Sequence, residues 1–95
     1  MVAIRRIVLD VLKPHDPPLT RFTEEVTGAD SVEAATATLI ELDQEVQNVQ
    51  ITIEGEDLSL ESVESVVENL GGTVHSVDQV ACGSHVVEDD PSLWN

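Results

Sequence analysis

The stretch GGTVHSVDQVACG, Gly71 to Gly83, gathers side chains able to do chemistry: His75, Ser76, Asp78 and Cys82, the only cysteine. A thiol becomes a nucleophile when a nearby positive charge or a helix N-terminus lowers its pKa. A histidine with carboxylates can hold a divalent cation. An aspartate and a histidine can also pass a proton between them. Cys82 has His85 and His75 within a few residues, but its surroundings are acidic, which opposes the thiolate. It reads as a small buried or subunit-contact residue. Ser76 and Ser84 lack the surroundings of a nucleophile elbow. Paired carboxylates for acid–base work cannot be singled out from nineteen acids. No catalytic residue is assigned, and the chain reads as non-enzymatic.

That abundance of acids is the strongest compositional signal. Nineteen acids stand against four bases, a formal net charge of −15, and Lys13 is the one lysine. A surface this negative repels nucleic acid and anionic membranes. The acids run through the whole chain, as in adaptation to high salt, where screening makes dense carboxylates tolerable. A halophilic protein is the expectation, and it lowers the weight of any acidic cluster as a site. One cysteine excludes an internal disulfide, and no apolar run reaches the length of a membrane span. With no signal-peptide pattern at the N-terminus, the expected location is the cytoplasm.

The elements that must position these residues follow from periodicity. Ile4 to Leu12 alternates as a strand, with Ile7, Leu9 and Val11 on one face and Arg6, Val8 and Asp10 on the other. Lys13 to Pro18 breaks it. Asp16 is the expected N-cap and Pro17 the first position of a short helix carrying Leu19, Phe22 and Val26, with Gly28 at its end. Val32 to Leu42 is a second strand, Asp43-Gln44-Glu45 a hairpin turn, and Val46 to Glu54 a half-buried third strand. Ser59 caps a second helix with the stripe Val63, Val66, Val67 and Leu70, and Gly71 supplies a left-handed stop. A fourth strand runs from Val74 to about Val80.

The order β-α-β-β-α-β, with right-handed crossovers, predicts an α+β ferredoxin-like sandwich. Its four-stranded antiparallel sheet has the order 4-1-3-2 and both helices on one face. The domain covers residues 1–87, and residues 88–95 form a loose acidic C-terminal tail carrying Leu93 and Trp94. The uncovered face carries Val8 and Leu12, with either Thr36, Thr38 and Ile40 or Ala35, Ala37 and Leu39 from the second strand. Apolar residues on an open face suggest cover by a second copy, so a homo-oligomer is expected.

Three blocks, IRRIVLDVLKPHDP, ELDQEVQNVQITIEG and LGGTVHSVDQVACG, together resemble the archaeal DUF211 family of uncharacterised proteins. The resemblance covers about residues 4 to 88. It implies a small ferredoxin-like fold and homo-oligomers, and no established enzymatic activity.

Candidate sites then follow from topology. The third strand is expected to run parallel to the first and the fourth antiparallel to it, so Asp10, Glu54 and His75 should meet at one end of the sheet. Two carboxylates suit calcium or magnesium, and His75 would shift preference toward zinc or manganese. The competing reading is polar pairing, Asp10 with Arg6 or Lys13 and His75 with Asp10. A second, weaker set is Asp43, Glu45 and Asp78. Other ferredoxin-like activities lack their residues: no aromatics for RNA stacking on the central strands, no CxxC for copper, no glycine-rich phosphate loop. What remains is a self-associating domain that binds a divalent cation. The alternative is a regulatory module resembling ACT and PII-like proteins, which takes a small-molecule ligand at a subunit interface. An enzyme using Asp10 and His75 as an acid–base pair comes last.

Overall fold

The computed structural model describes residues 2–87. Residues 88–95, read above as a tail, lie outside the described residues. The elements follow as β1 (Ile4–Pro14), α1 (Leu19–Val26), β2 (Val32–Leu42), β3 (Val46–Gly55), α2 (Leu60–Asn69) and β4 (Thr73–Cys82). The sheet order is β2-β3-β1-β4, and each neighbouring pair is antiparallel. This is the expected ferredoxin-like sandwich.

Alternation decides which face is buried. Ile7, Leu9 and Val11 of β1 and Val49, Ile51 and Ile53 of β3 are buried on the helix-covered face. Phe22 and Val26 of α1 and Val63 and Val67 of α2 close over them. Each buried aliphatic side chain contributes about 1.5–3 kcal/mol. On β2, Ala35 and Ala37 pack against this core, and Thr36 and Thr38 alternate with them to the open face.

Helix ends follow local chemistry. The Ser59 hydroxyl accepts from the Ser62 N–H at 3.2 Å. At the other end of α2, Gly71 has φ +88°, and its N–H donates to Glu68 O while that of Gly72 donates to Val67 O. This is the Schellman pattern, which glycine enters without a Cβ penalty. Helix α1 departs from expectation. It begins at Leu19 with Pro18 at the N-cap and no side-chain cap, so Asp16 does not cap it and Pro17 is not helical. A residue that precedes a proline is driven out of the α region, and Pro17 precedes Pro18.

Strand β1 continues to Pro14, two residues beyond the expected end at Leu12. Lys13 thereby extends the series Ile7, Leu9, Val11 and points into the core, fully buried.

Candidate functional site

The turn between β2 and β3 reverses the chain, so β3 runs antiparallel to β1. Glu54 therefore lies opposite Arg6, while Asp10 lies opposite Gln50. Four residues of strand separate Glu54 from the level of Asp10, about 13 Å at the usual rise. Glu54 is instead paired with Arg6, Nη2 to Oε2 at 2.8 Å, with a second contact from Nε at 2.9 Å. The expected convergence of Asp10, Glu54 and His75 does not form within one copy.

Asp10 and His75 do share a level of the sheet. Asp10 stands opposite Ser76 and Val11 opposite Val74, which leaves His75 as the extra residue of a bulge. A second bulge places Asp78 between Val77, opposite Leu9, and Gln79, opposite Val8. These insertions explain the valine spacing that alternation could not. Val74, Val77 and Val80 stand opposite Val11, Leu9 and Ile7, so all three share the helix-covered side although they recur every third residue. A bulge sets two residues against one and so shifts the face parity.

Asp43 and Glu45 sit in the β2–β3 turn, beside the end of β1. There His15 Nε2 lies 2.9 Å from the Asp43 carbonyl oxygen. Asp78 is on the opposite edge strand, with β3 and β1 between, so this second set is not brought together either. Asp78 accepts a 2.7 Å hydrogen bond from the Ser76 hydroxyl. Among the described residues, no three His, Cys, Asp or Glu side chains gather to hold one ion. Cys82 is exposed within one copy, which corrects the expectation of burial and leaves that of a subunit contact.

The open face has a shallow depression of about 390 Å³ lined by Arg6, Val8, Gln50, Thr52, Asp78 and Gln79. Val8 lies between Thr52 and Gln79, and Leu12 continues the same face. A larger groove, about 600 Å³, runs on the helix side between α1 and β2. Leu19, Thr20 and Thr23 form one wall, and Ala35 and Ala37 form its floor.

Sequence reasoning passed over Lys13 by placing it in a loop. Its Nζ donates to Pro14 O at 2.7 Å and to Gln47 Oε1 at 2.8 Å, and stands 5.8 Å from the centre of the Phe22 ring. Burial lowers its pKa, and the negative charge of Asp16 opposes that shift in part. The signal was present in the sequence: Lys13 keeps the parity of Ile7, Leu9 and Val11.

Comparison with known proteins agrees with the family resemblance of the sequence. The family pattern described as uncharacterized ArCR, DUF211, matches residues 5–95, and so takes in the C-terminal residues as well. An uncharacterized protein of Methanocaldococcus jannaschii is 42% identical over 89 residues, covering 94% of this chain and 92% of that protein. Among the described residues, no helix is long and apolar enough to cross a membrane. The chain belongs to the DUF211 family of uncharacterised archaeal proteins.

Proposed function

We propose that this protein is a non-enzymatic, self-associating domain of the cytoplasm whose uncovered sheet face is closed by another copy of the chain. The observation that carries the reading is the one-sided sheet. Both helices cover the face of Ile7, Leu9 and Val11, while Val8 and Leu12 on the other face of this central strand are only half-buried. Apolar groups in the middle of an open face gain free energy when a second surface removes them from water. The polar groups around them support a binding surface over a catalytic one. Arg6 is committed to Glu54, and the Ser76 hydroxyl donates to the carboxylate of Asp78 two residues on.

In this reading a divalent cation, calcium or magnesium before zinc, acts between copies. Asp10 and His75 offer two ligands at one level of the sheet. Hard cations take six or more, so further ligands would come from water and from a second copy. Size-exclusion chromatography with light scattering in high salt tests the association, run with EDTA and with added calcium. A dimer or larger assembly is expected. A clean monomer under all these conditions refutes the proposal.

A further inference from the structure

The outer edge of β2 carries an uncharged strip in a very acidic molecule. From Ala34 to Ile40 the sequence reads AATATLI, without one ionisable group, in a chain carrying nineteen acids. Leu39, Ile40 and Leu42 are exposed there, at 44%, 58% and 62%. Edge strands are normally protected by charge, bulges or proline, because their free N–H and C=O groups invite another strand. The other edge, β4, has such protection: bulges at His75 and Asp78 interrupt its ladder, and Asp78 adds a charge. Strand β2 also has bulges, at Glu33 and at Ile40, but between them it keeps unbroken register with β3 from Ala34 to Leu39. Proline and charge are both absent from that segment.

We infer that β2 pairs antiparallel with β2 of a second copy about a two-fold axis at Ala37, joining two sheets into one of eight strands. The inference rests on the self-association proposed above and names a contact distinct from the open face.

The occupant is a second copy because the strip is complementary to itself. A two-fold axis at Ala37 sets Ala35 opposite Leu39 of the other copy, and Thr36 opposite Thr38. Directly opposed residues of an antiparallel pair share a face. Leu39 of each copy therefore comes down on the helix side beside Ala35 and Ala37 of the other. There the two alanines leave the groove walled by Leu19, Thr20 and Thr23. On the open side, threonine meets threonine, a favourable cross-strand pair. Charge points the same way. Two molecules of net charge −15 repel, and the strip from Ala34 to Ile40 brings no carboxylate of its own to the contact, although Glu24 lines the groove beside it. Glu33 and Glu41 bracket the strip in each copy, so the two-fold brings acids toward acids at both ends. Association by this edge should strengthen as salt screens them.

The test is a register-specific crosslink. In a Cys82→Ala background, Ala37→Cys places one thiol on the axis, opposite its own copy. Opposed Cα atoms lie about 4.5–5.5 Å apart, within disulfide range. Mild oxidation should yield a covalent dimer from Ala37→Cys and little from Thr36→Cys or from Val8→Cys on the open face. Leu39→Glu should lower the assembly by one step, with an unchanged circular dichroism spectrum. If the wild type is oligomeric while Ala37→Cys fails to crosslink, or while Leu39→Glu leaves the assembly intact, the edge pairing is overturned and self-association stands. A wild type that is monomeric in high salt overturns both.

Discussion

Lys13 and Gln47 stand opposite one another on β1 and β3, and the Lys13 ammonium donates to Gln47 Oε1 at 2.8 Å in a site with no access to solvent. Among the described residues no carboxylate hydrogen-bonds this buried cation; its partners are the amide of Gln47, the Pro14 carbonyl and the Phe22 ring. A buried charge whose hydrogen bonds all go to neutral groups depends on each of them. Gln47→Leu should therefore destabilise the fold by about 1–3 kcal/mol, the usual cost of removing a hydrogen bond to a charged group. Lys13→Met removes the charge and keeps the volume, and should leave stability unchanged or raise it. Chemical denaturation of the two single variants and the double variant would show this. An additive double-variant cycle would contradict the coupling.

The same lysine sets a pH dependence. Burial lowers its folded-state pKa below the ordinary lysine value of 10.5, with Asp16 partly opposing. Between the folded and unfolded pKa values, the unfolded chain binds the proton more tightly. Stability then rises with pH across that window. Below the folded pKa both states are protonated and the full desolvation penalty is present. Above 10.5 both are neutral and the penalty is gone. The melting temperature of the wild type, measured against Lys13→Met at each pH, should climb on the alkaline side. A difference that stays flat or falls would mean that Lys13 is not desolvated.

How far the sequence could be read depended on what each pattern encodes. Caps and stripes are local: Ser59, Gly71, and Val63 with Val67 each do in the fold what their spacing implied. Strand direction is not local. The hairpin after Leu42 implies that β3 opposes β2, and the crossover implies that β2 runs with β1. Joining those two statements puts Glu54 beside Arg6 instead of Asp10. Bulges were out of reach for another reason. Val74, Val77 and Val80 fit neither a strand nor a helix of that length, and one sequence does not reveal which residue is extruded. Pro14, Pro17 and Pro18 mark a break after Leu12, yet the Lys13 stem continues the apolar face.

The new place of Glu54 leads to a third prediction. Its pair with Arg6 is part-exposed, with side-chain exposures of 46% and 20%. Pairs of this kind contribute about 0–1 kcal/mol. Glu54→Gln should thus lower stability by less than about 1 kcal/mol, with a smaller effect as salt rises. It should also leave unchanged any stabilisation by calcium or magnesium, whereas Asp10→Ala and His75→Ala should reduce it. Thermal unfolding with and without EDTA separates the cases. Loss of a cation response in Glu54→Gln would return Glu54 to the site.

Salt should stabilise the whole fold, beyond its effect on association. Among the described residues the ion pairs are Arg6–Glu54 and Arg21–Glu25, and Arg5 spends its Nε on the Gly83 carbonyl. With Lys13 buried, the surface has little positive charge to set against its acids. Unfolding lets those carboxylates move apart, so repulsion favours the unfolded chain, and added salt weakens that preference as the Debye length falls from about 10 Å at 0.1 M to about 3 Å at 1 M. The melting temperature should rise steeply with sodium chloride through that range. Chloride has no part in the argument, so changing the anion at constant sodium should matter less than changing the ionic strength. Glu→Gln changes at acids without a basic partner, Glu61 and Glu64 on α2 for instance, should raise stability in low salt and lose that effect in high salt. Equal effects at both salt concentrations would show that these side chains act through helix propensity or hydrogen bonding, and not through charge.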